Sequence, residues 1–148
     1  MKAFDTIRIA NCHASLLSAN AMVERFCKHY DVGPEIQHKL LLLLEEALVN
    51  VINHGFDDDE THMMELSLYN KPPHAVMRLR DDGKPFDPRQ QPSPPLGLPA
   101  GEAPVGGLGI YLMQQLADTI CYQRSGKYNI LTLYCIRETK APSSSGSE

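Results

Sequence analysis

No stretch of this sequence stays apolar for long. The longest run, the leucines at 40–44, is closed at once by Glu45 and Glu46, far short of the roughly 20 residues that span a bilayer, so no transmembrane helix is expected. The first residues, Met1-Lys2-Ala3-Phe4-Asp5, hold no apolar signal core and bring in an acid immediately; export is not expected, and a cytoplasmic location is. Basic clusters are also missing. Fourteen Lys and Arg against eighteen Asp and Glu give a net charge of -4, without the electrostatic footprint of a nucleic-acid or anionic-membrane binder. The four cysteines, Cys12, Cys27, Cys121 and Cys135, form no Cys-x-x-Cys pair and no Cys/His spacing suited to zinc, so reduced, half-buried thiols are expected. What is present is ordinary globular composition, 43% apolar and 22% charged over 148 residues, the span of one domain with one core.

Hydrophobic spacing orders the chain. Residues 3–10 alternate imperfectly, with Phe4, Ile7 and Ile9, and predict a short strand. From 14 to about 30, Leu16, Leu17, Ala21, Val23, Phe26 and Cys27 recur at three and four residues and predict an amphipathic helix. Pro34 suits the first position of a second helix, whose apolar face runs through Ile36, Leu40, Leu43, Leu44, Ala47, Leu48 and Val51 to about His54, with Gly55 as its stop. Segments 62–69 and 75–80 read as a hairpin joined by Asn70-Lys71-Pro72-Pro73. Seven of the eleven prolines then fall within 82–107, a loop long enough to read as a lid. A third helix resumes through Ile110, Leu112, Met113, Leu116 and Ala117, and strands at 119–124 and 129–137 close the fold across Ser125-Gly126-Lys127-Tyr128. The domain is expected over 1–140, with a Pro/Ser/Gly-rich disordered tail at 141–148. Hairpins with three helices to cover them predict an α+β, two-layer sandwich.

Three short motifs carry the chemistry. Glu46, Asn50 and His54, spaced by four, share one stripe of the second helix beside its apolar face. An asparagine in mid-helix has poor propensity, and its oxygen is a suitable hard ligand for Mg²⁺, which takes few protein ligands and completes its shell with phosphate and water. Asp81-Asp82-Gly83-Lys84-Pro85-Phe86-Asp87-Pro88 follows a strand directly; an acid there can accept from an exocyclic amine, while a nearby glycine leaves room for a flat ring. Gly106-Gly107-Leu108-Gly109-Ile110 opens a helix whose unpaired N–H groups suit phosphate. It is neither a Walker loop nor a Rossmann fingerprint.

In that order and spacing the motifs resemble the GHKL ATPases. Residues 46–56 are similar to the N box, Asp81-Asp82-Gly83 with Pro85-Phe86-Asp87-Pro88 to the G1 box, Gly107-Leu108-Gly109-Ile110 to the G2 box, and 129–133, with Thr132, to the last strand motif. The resemblance covers about residues 4–137; the short length and the His54-Gly55-Phe56 ending look most like the bacterial anti-sigma-factor serine/threonine kinases. It implies a Bergerat fold, with a mixed, mostly antiparallel sheet and three helices on one face. It also implies transfer of the γ-phosphoryl group of Mg²⁺-ATP to a serine or threonine of a STAS-domain anti-anti-sigma protein, in a switch that sequesters and releases a sigma factor. By position, Asn50 would hold Mg²⁺, Asp81 would read the adenine amine, and Gly83 would admit the base. Gly107, Leu108 and Gly109 would wrap the phosphates, Thr132 would support the adenine side, and Glu46 would be the general base. Glu45, about 100° around the helix, is not placed there. Pro85 departs from the pattern, standing where many members have a second glycine.

The competing reading is an ATP- or ADP-binding module that holds a protein partner without phosphotransfer; the carboxylate of Glu46 argues against it. A histidine-kinase catalytic domain is disfavoured because no helical hairpin with a phosphorylatable histidine precedes the first strand. Relatives in the family form dimers, and residues 6–21 are the candidate surface for a dimer or sigma contact.

Overall fold

The computed structural model describes residues 2–90 and 107–137. Its elements run β1 (Asp5–Ala10), α1 (Ser15–His29), α2 (Pro34–His54), β2 (Met63–Lys71), β3 (His74–Asp81), a 3₁₀ turn (Pro88–Gln90), α3 (Gly107–Leu116), β4 (Thr119–Ser125) and β5 (Tyr128–Ile136). Each helix and strand lies within a few residues of its expected place, and the 3₁₀ turn falls in a stretch expected to be loop. Most of the expected lid, 91–106, and the expected tail lie outside the described residues. No helix among the described residues is long and apolar enough to cross a membrane.

The five strands form one sheet in the order β1-β2-β3-β5-β4, and every pairing is antiparallel. The expected mixed sheet therefore has no parallel pair here. β3 and β4 point the same way, but β5 is inserted between them, so each meets an antiparallel neighbour. This insertion sets Asp81, the last residue of β3, opposite Asn129, the second of β5.

Strand alternation decides which face is covered. Ile9, Met64, Leu66, Leu68, Ala75, Met77, Leu79, Leu131, Leu133 and Cys135 point inward and join one core with residues of the three helices. From α2 come Ile36, Leu40, Leu43, Leu44, Ala47 and Leu48; Pro34 opens this helix, as expected. From α1 the buried stripe is Ala19, Met22, Val23, Phe26 and Cys27. Leu17 and Ala21 do not belong to it, since at about 100° per residue both lie on the far side of the helix from Val23, and Leu17 is 78% exposed. Phe26 is fully buried and meets Phe4 edge-on with ring centroids 5.5 Å apart. All four cysteines are free: Cys12 and Cys121 are exposed, whereas burial pushes the thiols of Cys27 and Cys135 up to about 11.

Phe26→Ala is expected to cost about 3–5 kcal/mol by cavity formation, and Leu17→Ala less than about 0.5 kcal/mol. Urea unfolding followed by circular dichroism measures both, and equal losses would contradict this assignment of the α1 faces.

Candidate functional site

Two helices, three strands and the turn after β3 converge at one end of the helix–sheet interface. The last turns of α2 bring Asn50, Val51 and His54, β3 ends in Leu79 and Asp81, the following turn adds Lys84, Phe86 and Pro88, and Met113, Tyr122, Asn129 and Leu131 close the far side. They line a cleft with about 460 Å³ of empty space, open solvent included. Apolar side chains form its walls and a few polar groups converge at its floor, the usual make-up of a small-molecule site.

Asp81 is that floor. It is 5% exposed, and its Oδ1 accepts from the Gly83 N–H at 2.8 Å and from the Asn129 side-chain amide at 3.0 Å. Its Oδ2 accepts nothing from the described residues. Burial pushes the Asp81 carboxyl above its ordinary value, outweighing the opposite pull of these two donors. The buried carboxylate of a residue that lines the cleft thus keeps one oxygen unpaired among the described residues.

Asn129 organises the floor. Besides Asp81, its amide donates to the carbonyl of Lys84 at 2.9 Å, and its oxygen accepts from the Tyr122 hydroxyl and, at 3.2 Å, from Arg124 Nη1. Thr132, the expected residue on this strand, is elsewhere: it lies among Tyr69, Val76 and Arg78 on the sheet face away from the helices. The alternation Asn129, Leu131, Leu133, Cys135 was the signal that could have found Asn129, because it is in phase with the buried residues and Thr132 is not.

Gly83 has a different role from the one expected. A Cβ there would fall 2.7 Å from the Gly55 carbonyl oxygen and 2.9 Å from Asp81 Oδ1, so the missing side chain serves a close approach of two backbones. Lys84 seals that approach, donating its N–H to the Gly55 carbonyl at 2.8 Å while its ammonium pairs with Asp57 at 2.8 Å. Gly55 caps α2 as expected, but in a right-handed conformation, with its N–H on the Val51 carbonyl. The end of α2 and the turn after β3 are joined here.

The stripe of α2 splits. Four residues advance about 400°, so each step rotates the side chain about 40°. Asn50 and His54 line the cleft, and Glu46 does not. The Asn50 carboxamide makes no hydrogen bond to a described residue, leaving its oxygen available. Glu46 is half-buried one turn upstream; burial first, and then the neighbouring Glu45, raises its carboxyl above the ordinary range. Among the described residues no group of three or more His, Cys, Asp or Glu could hold a metal ion, so a cation here would depend on Asn50 and on oxygens a ligand brings. A hard Mg²⁺ with mostly phosphate and water ligands fits that donor set. Gly107, Leu108 and Gly109 are the first three residues of α3, and Gln114 ties that helix to the Pro88 carbonyl at 2.9 Å.

A family model described as a histidine kinase-like ATPase domain matches residues 10–135. The chain is similar to the serine/threonine-protein kinase BtrW of Bordetella bronchiseptica, 28% identical over 129 residues that cover 87% of this chain and 91% of that protein. It is also similar in structure to the RsbU and RsbW domains of Rv1364c from Mycobacterium tuberculosis, with a TM-score of 0.58 and 10% identity. That match covers 88% of this chain and 32% of the other, so this chain spans about a third of it. At that identity the likeness shows the fold alone.

Because the folded state raises the Asp81 carboxyl value, its contribution to stability is fully present below the unfolded value of about 3.9 and is lost as pH rises through the folded one. Asp81→Asn, which can keep both acceptor contacts, is therefore expected to stabilise the ligand-free protein at pH 7, with the gain fading at acidic pH. Denaturant midpoints across pH check this, and a variant less stable at pH 7 would contradict it.

Proposed function

Since the chain belongs to the histidine kinase-like ATPase domain family, we propose that its cleft binds Mg²⁺-ATP and that it is a serine/threonine protein kinase. Its substrate would be a STAS-domain anti-anti-sigma protein, and its second partner a sigma factor or other regulated protein, in a cytoplasmic partner-switching system. The observation that carries the reading is the pairing, in one cleft, of a buried Asp81 with a free oxygen and a mid-helix Asn50 with an unengaged carboxamide. The likeness to a serine/threonine-protein kinase over most of both chains supports the same reading.

In this mechanism Asp81 Oδ2 accepts the adenine amine, and Leu79, Phe86, Met113 and Leu131 supply apolar walls that exclude water from the base. Asn50 would hold Mg²⁺; when bound, the ion neutralises charge on the phosphates. The start of α3, at Gly107, Leu108 and Gly109, directs N–H groups and its dipole to the phosphates. The partner's hydroxyl oxygen forms a bond to the γ-phosphorus, the bond to the β–γ bridging oxygen breaks, ADP leaves, and the hydroxyl proton passes to the Glu46 carboxylate. In a loose transition state that proton moves late, so a carboxylate can serve. Residues 6–21 remain the proposed surface for a dimer or sigma contact, supported by the exposure of Leu17.

One observation favours a second reading. Glu46 does not line the cleft, and without access to it the chain would be a nucleotide-binding module that holds a partner without transfer.

Incubation with γ-labelled ATP, Mg²⁺ and the STAS partner is expected to label that partner on serine or threonine; nucleotide binding without label would favour the second reading. Glu46→Gln should remove transfer and leave ATP affinity within a few-fold, whereas Asp81→Asn should weaken ATP binding roughly 10- to 100-fold, the worth of a hydrogen bond to a charged group. Transfer by wild type should rise with pH through the raised Glu46 carboxyl, so its acid limb should lie above the ordinary glutamate range.

A further inference from the structure

Arg124 stands on β4, the edge strand, outside every motif matched above, yet it reaches across the hairpin to the floor of the cleft. Its Nη1 donates to the Gly83 carbonyl at 2.8 Å and to Asn129 Oδ1 at 3.2 Å, and its Nε donates to the Gly126 carbonyl at 3.2 Å. Each contact bears on Asp81. The Gly83 carbonyl belongs to the same residue whose N–H holds Asp81 Oδ1, and Asn129 holds that oxygen from the other side. The contact on Gly126 anchors the guanidinium to the β4–β5 turn, where a left-handed glycine at φ +60° shapes the reversal.

This inference rests on the reading of Asp81 as the group that accepts the adenine amine. We infer that Arg124 is a positioning residue for base recognition, fixing the Gly83 turn and the Asn129 amide so that Asp81 Oδ1 is engaged and Oδ2 faces the cleft. The planar fork suits the role. One guanidinium can hold three oxygens in fixed directions, whereas an ammonium on a flexible stem offers a point charge. Arg124 also lies near enough to oppose, by its charge, the upward push that burial gives the Asp81 carboxyl. Asn129 cannot do this alone. With its oxygen held only by the Tyr122 hydroxyl, the amide would keep its donors but lose one of the two contacts on that oxygen.

The test pairs a variant with an altered ligand. Direct binding of ATP and of purine riboside triphosphate, which has the same ring and phosphates without the 6-amino group, is measured on wild type, Arg124→Gln and Arg124→Lys. Wild type is expected to prefer ATP, and Arg124→Gln to lose about tenfold in ATP affinity with little change for the deaminated analogue, since the analogue never uses Asp81. Should Arg124→Gln not fold, Arg124→Lys carries the same test with a smaller loss of preference, about threefold. A variant that weakens both nucleotides equally shows a merely structural role and overturns the inference, as does one that keeps the full preference for ATP. If wild type itself shows no preference, the failure lies with Asp81 as the amine reader, and this inference falls with it.

Discussion

A carboxylate taken out of water at the end of β3 is the constraint around which this protein is arranged. Burying an ionised acid is costly unless hydrogen bonds replace its hydration. Among the described residues Asp81 has two donors on one oxygen and none on the other, and its carboxyl value is pushed up by burial despite them. The site is incompletely satisfied by design of its topology. The inserted β5 supplies Asn129 as a register partner on one side, the turn supplies the Gly83 N–H, and the remaining side is the cleft. A ligand that brings a donor would relieve a cost the fold already carries, so on the proposed reading the recognition of an amine and the electrostatics of the floor would be one property.

The second element is the close passage of two backbones. Gly83 approaches Gly55 to a distance no side chain would allow, and the Lys84 N–H bonds the carbonyl at which α2 ends. Asn50 and Asp81 are 31 positions apart in the chain, yet this clasp fixes one relative to the other. Both groups sit on regular elements, a helix and a strand, and the loops between those elements carry neither. That is the construction expected of a site whose polar groups must be held to fractions of an ångström.

Much of this was legible in the sequence, and the misses have physical causes. The α2 boundaries follow from Pro34 and Gly55, and two of the cleft's polar residues follow from an asparagine where helix propensity disfavours one and an acid at a strand end. Leu17 and Ala21 were misplaced because spacings of three and four were accepted pair by pair. Summed along α1, those two residues fall opposite Phe26 and Val23. Thr132 was chosen by resemblance alone; phase with Leu131 and Leu133 would have pointed to Asn129. The role of Gly83 was half legible. A glycine beside an aspartate signals a close approach, but whether a ligand or the chain's own backbone makes that approach depends on the far end of α2, which no local pattern encodes. Arg124 was invisible for the same reason, since its contact with the Gly83 carbonyl joins residues 41 positions apart in the chain.

The position of Glu46 follows from helix geometry and bears directly on mechanism. Side chains four apart on a straight helix drift by about 40° per step, so a stripe that lines the cleft at His54 and Asn50 has turned out of its lining by Glu46. A base that had to remove a proton before attack would be badly placed there. A loose phosphoryl-transfer transition state asks for less, because the hydroxyl loses its proton only after the bond to phosphorus is largely formed. On the proposed reading, the acceptor can then stand outside the lining of the cleft and still take the proton of an entering hydroxyl. Half-burial with Glu45 alongside, which raises the carboxyl value of Glu46, makes it a better proton acceptor than a fully solvated glutamate. The same drift keeps Glu46 out of the lining of the cleft while Asn50 and His54 stay in it.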